Sequence, residues 1–168
     1  SSDLIKPNTP GQRFMTVSTY EAVKQFNVEP VVALTSYSNF GEYRLGSPAQ
    51  IQEAVDTLHR KYPEILVDGE MSASIAFNTE LRQARFPFSP LANKDVNTII
   101  FPNLSSGSIA LGVLQELGNN EIIGPVLLGL NKPVHILQMG CSVRDIVYMT
   151  TLAVTDAQKE MPVDMCRI

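Results

Sequence analysis

Short apolar runs alternate with segments of helical periodicity along almost the whole chain, and this alternation restricts the possible folds more than any other feature. The strand candidates are the apolar, β-branched runs at 31–37, 65–68, 97–101, 125–128 and 134–137. The helix candidates are the segments of helical spacing at 12–26, 47–61, 72–85, 105–117 and 142–159. A regular succession of strands and helices is typical of a mostly parallel sheet with helices on both faces. The sequence therefore predicts an α/β fold.

Some helix boundaries carry specific signals. Ser47 stands before Pro48, which predicts an N-cap followed by a proline in the first helical position. Gly118 and Asn119 follow the helix candidate 105–117 and predict its end.

The composition narrows the class of protein and of partner. The chain has 168 residues, of which 44% are hydrophobic and 18% charged, as in a soluble globular domain. A net charge of −4 argues against nucleic acid, because phosphate backbones require clustered Lys and Arg. No apolar run is long enough to cross a bilayer. Cys141 and Cys166 show no metal-binding or redox spacing, so we expect a cytoplasmic protein without a metal site.

Four segments each follow a predicted strand and are candidates for a ligand site. They are 36–41, 68–70, 103–108 and 138–142. Parallel sheets bind their ligands at the carboxyl ends of the strands. We therefore expect these segments to form one site.

The segment 103–108 has two interpretations. It lies between a strand and a helix, where free backbone N–H groups and the helix dipole hold anions such as phosphate. Alternatively, Ser105 or Ser106 only caps the helix and Gly107 is merely tolerated. It is not a P-loop, because no Gly-Lys-Ser/Thr follows.

Asp68 and Glu70 flank a glycine at the end of a strand candidate. Two such carboxylates suit acid/base chemistry or Mg²⁺ binding. We favour the simpler interpretation, in which Asp-Gly forms a turn and Glu70 stabilises the N-terminus of the next helix.

The segment from Gly140 to Asp145 opens the last predicted helix. Ser142 as N-cap, with Asp145 three residues later, resembles a capping box. In a functional interpretation, Asp145 is a general base and Cys141 a nucleophile, but no histidine is near in sequence. His135 lies in an apolar run and is predicted to be a core residue with satisfied hydrogen bonds rather than a ligand, whereas His59 is predicted to be solvated.

Several blocks of sequence, taken together, are similar to the phosphate acetyl/butyryl transferases. They follow the order and approximate spacing of that family at 32–41 (Val-Ala-Leu-Thr-Ser-Tyr-Ser-Asn-Phe-Gly), 68–71 (Asp-Gly-Glu-Met), 99–104 (Ile-Ile-Phe-Pro-Asn-Leu), 123–125 (Ile-Gly-Pro), 132–134 (Lys-Pro-Val) and 140–147 (Gly-Cys-Ser-Val-Arg-Asp-Ile-Val). The resemblance implies an isocitrate dehydrogenase-like fold of two α/β domains. It also implies a reaction that converts acetyl-CoA and phosphate to acetyl phosphate and CoA.

The resemblance places this chain in the second half of such a protein. Residues 5–137 would form the second α/β domain, 138–160 a helix that returns to the missing first domain, and 161–168 a tail. The missing N-terminal part of the same chain and a second copy, in a homo-oligomer formed through this domain, are the implied protein partners.

The family also implies roles for individual residues. Asp145 matches its proposed catalytic base. The predicted cleft for acetyl-CoA and phosphate comprises Ser36, Ser38, Asn39, Asn103, Ser105, Ser106, Gly107, Met139, Gly140, Cys141 and Ser142. One departure is important: the family has Ser-Arg-Gly where this chain has Gln138-Met139-Gly140. Because Met139 cannot grip phosphate as arginine does, we expect weak or no transacetylase activity.

A second resemblance concerns residues 38–41, 134–137 and 153–158, which are similar to the tail domain of bacterial NADP-dependent malic enzymes. In those oxaloacetate-decarboxylating malate dehydrogenases, the tail is thought to sense acetyl-CoA and to inhibit the malic-enzyme domains. The resemblance implies an allosteric fragment that needs no cofactor of its own; NADP and a divalent metal belong only to the missing malic-enzyme domains. An active phosphate acetyltransferase and a structural dimerisation module remain alternatives.

Overall fold

A three-stranded parallel sheet organises the first part of the chain. The structure is a computed structural model that describes residues 9–118, 122–130, 132–137 and 139–158. The central strand is β1 (Val32–Thr35), which is flanked by β2 (Val67–Met71) and β3 (Thr98–Ile100). Val32 is in register with Val67 on one side and with Thr98 on the other. The parallel arrangement confirms the predicted fold class.

Six helices are present in the described residues: α1 (Thr9–Lys24), α2 (Ser47–Lys61), α3 (Ala73–Phe77), α4 (Thr79–Arg85), α5 (Leu104–Leu117) and α6 (Val143–Ala157). The chain divides into two units, Ser1–Val113 and Leu114–Ile168. The sheet belongs to the first unit and α6 to the second. None of the described helices combines the length and the apolar character that a membrane span requires.

The sheet has a separate apolar core on each face. Val32 and Leu34 of β1 pack in one core with Tyr20 of α1 and Leu58 of α2. Ala33 points to the opposite face and packs in the other core, with residues from β2, α3 and the segment after α4. Successive side chains of a strand alternate between faces, so a fully buried β1 requires cover on both sides. Helices on both faces were predicted, and the structure confirms them.

Several helix boundaries differ from the prediction; α1, for example, covers Thr9–Lys24 rather than residues 12–26. The N-cap of α2 is Gly46 with φ 69°, rather than Ser47, and its Pro48 is buried in the first turn. The predicted helix 72–85 is interrupted at Asn78, whose extended backbone separates α3 from α4. The side chain of Asn78 accepts a hydrogen bond from the Leu81 amide at 2.8 Å and so caps α4.

The two later strand candidates were wrong. Residues 125–128 and 134–137 are irregular rather than extended strands in the described part of the chain. Both are short apolar runs, and hydrophobic periodicity does not separate a short buried strand from an irregular apolar segment. β2, in contrast, continues beyond its predicted end at residue 68 as far as Met71. The predicted residues Asn119, Gln138 and Cys166 and the tail 161–168 lie outside the described residues.

Candidate functional site

The loop that follows β1, residues 36–43, is docked on the end of β2; we call it the β1–α2 loop. The Ser36 amide donates to the carbonyl of Met71 at 2.9 Å, and the Phe40 amide donates to the carbonyl of Glu70 at 2.8 Å. Because β1 and β2 are parallel neighbours, both carboxyl ends reach the same edge of the sheet. The loop therefore lies at the edge of the sheet where the sequence predicts a ligand site.

Glu70 is fully buried beneath the β1–α2 loop. Its Oε1 accepts hydrogen bonds from the Ser38 hydroxyl at 2.7 Å and from the Gly41 amide at 3.0 Å. Its Oε2 is buried and has no hydrogen-bond partner among the residues that the structure describes. The turn interpretation of Asp68 and Glu70 was therefore wrong, since both lie within β2 and the Glu70 carboxylate binds the preceding loop.

The three predicted ligand residues of this loop all take part in its internal structure. Ser38 is fully buried, and its Oγ also accepts from the Tyr43 amide at 3.2 Å. The Asn39 Oδ1 accepts from the Ser72 amide at 2.8 Å. The Ser36 Oγ accepts from the Ser38 amide at 3.4 Å. Their contact with a ligand remains a prediction.

Asp68 is held by a different loop. The Ser89 hydroxyl donates to its Oδ2 in a short hydrogen bond, and the Gly69 amide donates to its Oδ1 at 2.9 Å. Burial raises the pKa of Asp68 above its ordinary value, against the opposing effect of the hydrogen bonds from Ser89 and Gly69. Asp68 and Glu70 thus have separate donors: Ser89 and the β2 residue Gly69 for Asp68, and the β1–α2 loop for Glu70.

Asn103 caps α5, not Ser105 or Ser106 as the capping interpretation had it. Its Oδ1 accepts from the Ser106 amide at 2.9 Å, and the Ser106 hydroxyl donates to the Asn103 carbonyl at 3.0 Å. A Cβ on Gly107 would lie 3.5 Å from the Phe101 ring, an ordinary contact, so this glycine is tolerated rather than required. Leu104 and Ser105 lie in the first turn, where amides lack intrahelical acceptors. An anion at this helix start remains a prediction.

The remaining predicted site residues belong to the second unit. Ser142 and Asp145 form the predicted capping box at the start of α6. The hydrogen bonds from the Ser142 side chain and amide lower the pKa of Asp145. Cys141 is a half-buried free thiol, and Gly140 has φ 88°. The Met139 side chain is fully exposed.

The two histidines differ in their surroundings. The side chain of His135 is only 6% exposed, as predicted, and its Nε2 lies 3.9 Å from Asp156 Oδ2. Neither ring nitrogen has a hydrogen-bond partner among the described residues, so the expected satisfied state was wrong. His59 is exposed, as predicted, and its Nε2 also lies 2.7 Å from the carbonyl of Val67 in β2. Across the described ranges, no three His, Cys, Asp or Glu side chains are grouped as metal ligands.

Two features near the loop were missed in the sequence. Tyr37 and Tyr43 are exposed on the β1–α2 loop, with ring centroids 5.6 Å apart in an edge-to-face arrangement. Phe40 packs against the rings of Phe86 and Phe88, at 4.7 and 5.2 Å between centroids. The sequence does show aromatic residues within 37–43 and 86–88. Their spacing follows neither the helical nor the strand period, so the pattern did not predict these contacts.

Comparison with known proteins identifies the family. Residues 5–154 match the family model described as phosphate acetyl/butaryl transferase. The chain belongs to this family. The match covers most of the chain, including β1, β2, the β1–α2 loop and the start of α6. It therefore includes the predicted site residues of the first unit as well as those at the start of α6.

Its relatives are of two kinds. The NADP-dependent malic enzyme of Salmonella typhimurium is 37% identical over 86% of this chain and 19% of its own length. The phosphate acetyltransferase of Bacillus subtilis is 31% identical over 91% of this chain and 47% of its own length. A phosphotransacetylase from Streptococcus pyogenes has a similar structure, with a TM-score of 0.83 and 33% identity over 91% of this chain and 46% of that one. The chain thus spans about a fifth of the malic enzyme and about half of the transferases.

Proposed function

We propose that this chain is part of an acetyl-CoA-sensing, phosphotransacetylase-like domain of an NADP-dependent malic enzyme. In this proposal, the domain binds acetyl-CoA and regulates malate oxidation allosterically, with little or no turnover of acetyl-CoA. The identity to malic enzymes over most of the chain supports the context. NADP and a divalent metal would be bound by other domains of the full-length protein.

The observation that carries the proposal is the nature of Met139. Its thioether side chain is fully exposed, and it stands where the family resemblance implies an arginine. An arginine offers a bidentate set of N–H donors to phosphate, and a thioether offers neither donors nor charge. Without that charge, the transition state of acyl transfer to phosphate loses its main electrostatic stabilisation. In this proposal, the CoA portion is bound by other residues, so its binding is retained.

Asp145 is consistent with this reduced chemistry. Its Oδ2 accepts from both the amide and the hydroxyl of Ser142, at 2.7 and 2.8 Å. These bonds favour the ionised form of the carboxylate, so Asp145 is a weaker base than an ordinary aspartate. Its presence alone therefore does not argue for efficient turnover.

Calorimetry and steady-state kinetics on the full-length polypeptide test the proposal together. We expect acetyl-CoA to bind, to change the rate of malate oxidation, and to yield no detectable acetyl phosphate when inorganic phosphate is supplied. Desulfo-CoA is the matched control ligand, because it has the CoA framework without the acyl group or the thiol. Absence of both binding and a change in malate oxidation would refute the regulatory function.

An active phosphate acetyltransferase is the second candidate. Identity to the Bacillus subtilis phosphate acetyltransferase and the presence of Asp145 favour it. Acetyl phosphate formation by the full-length protein, with a dependence on Asp145, would establish this function. If only the phosphate clamp is missing, Met139→Arg should raise the rate, and Met139→Lys should raise it less because lysine lacks the bidentate geometry.

A homo-oligomer formed through this chain is the third part of the proposal. Exposed apolar side chains support it, and between residues 122 and 130 they include Ile123, Leu127, Leu128 and Leu130. Contiguous exposed apolar surface is typical of an interaction site. Sedimentation of the full-length protein tests this point. A monomer at high concentration would contradict an oligomer.

A further inference from the structure

The carboxylate of Glu70 is the one acidic group of β2 that is enclosed by the β1–α2 loop. Its side chain is fully buried, and Oε1 accepts both of its hydrogen bonds from that loop, from Ser38 and Gly41. A buried carboxylate is costly unless donors reach it. The two donors reach Oε1 only when the loop is folded back over β2, so the conformation of the loop and the burial of Glu70 depend on each other.

The β1–α2 loop contains backbone conformations that need hydrogen bonds to hold them. Phe40 and Gly41 have positive φ values of 45° and 91°. This region is unfavourable for a residue with a Cβ such as Phe40. The Phe40 amide donates to the Glu70 carbonyl and the Gly41 amide to the Glu70 carboxylate, so the main chain and side chain of one residue hold both positions.

The backbone amides of the loop are consumed internally. Each backbone amide from residue 38 to residue 43 donates to an acceptor within the protein. The amides of residues 40 and 41 donate to the carbonyl and the carboxylate of Glu70. The amides of residues 38, 39, 42 and 43 donate to acceptors inside the loop, which are respectively the Ser36 hydroxyl, the Glu42 carboxylate, the Asn39 carbonyl and the Ser38 hydroxyl. The loop therefore has no spare amide in this stretch for a phosphate. Its exposed surface includes the rings of Tyr37 and Tyr43, which suit apolar or planar parts of a ligand.

We infer that Glu70 is a positioning residue, which holds residues 36–43 in the shape that receives acetyl-CoA, without itself touching the ligand. This inference rests on the proposed function, since it names the residue on which that ligand site depends. Glu70 acts through Ser38 and Gly41. Removal of its carboxylate frees the loop, and ligand binding must then supply the free energy that orders it again.

Two substitutions separate positioning from mere stability. Glu70→Gln keeps an oxygen that accepts from Ser38 and Gly41, whereas Glu70→Ala leaves both donors without an acceptor. We expect Glu70→Ala in the full-length protein to weaken acetyl-CoA binding about tenfold or more, and Glu70→Gln to remain within about threefold of wild type. Calorimetric titration with acetyl-CoA measures both, at a temperature where each variant is folded.

Thr16→Val is the matched control. Thr16 is fully buried in α1, and its hydroxyl donates to the Gln12 carbonyl at 2.8 Å. Its loss should lower the thermal midpoint without changing acetyl-CoA affinity. Hydrogen exchange of the amides of residues 38–43 is the second readout, because it reports opening of the loop without any ligand. Exchange should become faster in Glu70→Ala and stay near wild type in Glu70→Gln and Thr16→Val.

The outcomes distinguish the inference from the proposed function. Wild-type affinity and unchanged exchange in folded Glu70→Ala would overturn the positioning role. Equal losses of affinity in Glu70→Ala and Thr16→Val would reduce Glu70 to a general stabilising residue and also overturn it. If the wild type binds no acetyl-CoA but loop exchange still depends on Glu70, the proposed ligand is wrong while Glu70 still positions the loop. If loop exchange is also unaffected, both are wrong.

Discussion

Ser142 and Asp145 cap each other's backbone amides at the start of α6. The Asp145 amide donates to the Ser142 Oγ at 3.2 Å, and the Ser142 amide donates to the Asp145 Oδ2 at 2.7 Å. The Ser142 hydroxyl closes the arrangement by donating to the same Oδ2 at 2.8 Å. A residue that the family resemblance implies to be a catalytic base is therefore also a structural element of its own helix. Substitution of Asp145 cannot be interpreted by activity alone.

The pH dependence of stability should report the structural role of Asp145. Its lowered pKa means that its contribution is present above the ordinary value of 3.8 and is lost as the pH falls below it, through the folded-state pKa. We expect Asp145→Ala to lower the thermal midpoint at pH 7, and we expect the difference from wild type to shrink toward low pH. Glu116→Ala, at an exposed position in α5, is the control. A difference that does not depend on pH would contradict an ionic contribution of Asp145.

Arg82 should be among the most sensitive positions in the first unit. Its buried guanidinium donates to the carbonyls of Ile75, Ala76, Leu91 and Lys94 and to the Thr79 hydroxyl. We expect Arg82→Met to lower the free energy of unfolding by about 3 to 5 kcal/mol, because several buried acceptors lose their donor at once. Chemical denaturation measures this loss.

Arg85, exposed on the same helix, is the matched control for Arg82. Its guanidinium lies 5.9 Å from the centroid of the Phe86 ring. Arg85→Met should cost about 1 kcal/mol or less. Similar costs for the two substitutions would show that the buried hydrogen bonds of Arg82 contribute little net stability.

Ser89→Ala should have an effect that depends on pH through Asp68. Burial raises the pKa of Asp68, so the contribution of this one group to stability falls as the pH rises from 3.8 through the folded-state pKa. The Ser89 hydrogen bond favours the ionised form, and its removal should raise that pKa further. We therefore expect Ser89→Ala to cost more stability at pH 7 than at pH 4. Urea unfolding at both pH values checks this, and an equal cost at both would contradict it.

Gly69 and Gly112 should respond in opposite ways to alanine. A Cβ at Gly69, where φ is 152°, would collide with the carbonyl oxygen of Leu34 in β1. Gly69→Ala should therefore destabilise the sheet by more than about 1 kcal/mol. Gly112 lies in α5 with nothing within 4 Å of the Cβ position. Gly112→Ala should stabilise by about 0.5 to 1 kcal/mol. Thermal unfolding of the two variants measures the contrast.

Local signals that stand on their own were predictable from the sequence. The alternation of strands and helices in the first part of the chain, the end of α2 at Lys61, the end of α5 at Leu117 and the capping box of Ser142 all follow from short-range chemistry. The family followed from several blocks in order, and the match over residues 5–154 confirms it. None of these features requires knowledge of which distant segments meet.

The tertiary structure decided the role of every residue whose partner is far along the chain. Asp-Gly-Glu has the composition of a turn, but pairing of Gly69 with Leu34 makes it part of β2, and the Glu70 carboxylate then meets Ser38 from 32 residues away. Likewise, nothing in the sequence analysis singled out Arg82, whose buried role depends on carbonyls from Ile75, Ala76, Leu91 and Lys94. The sequence by itself determined the family, the α/β alternation of the first part of the chain and the local caps, because those depend on neighbours along the chain. The tertiary structure alone decided which partners the buried polar groups have. A buried polar group loses its hydrogen bonds to water, so it must bind the donor or acceptor that the packing places next to it.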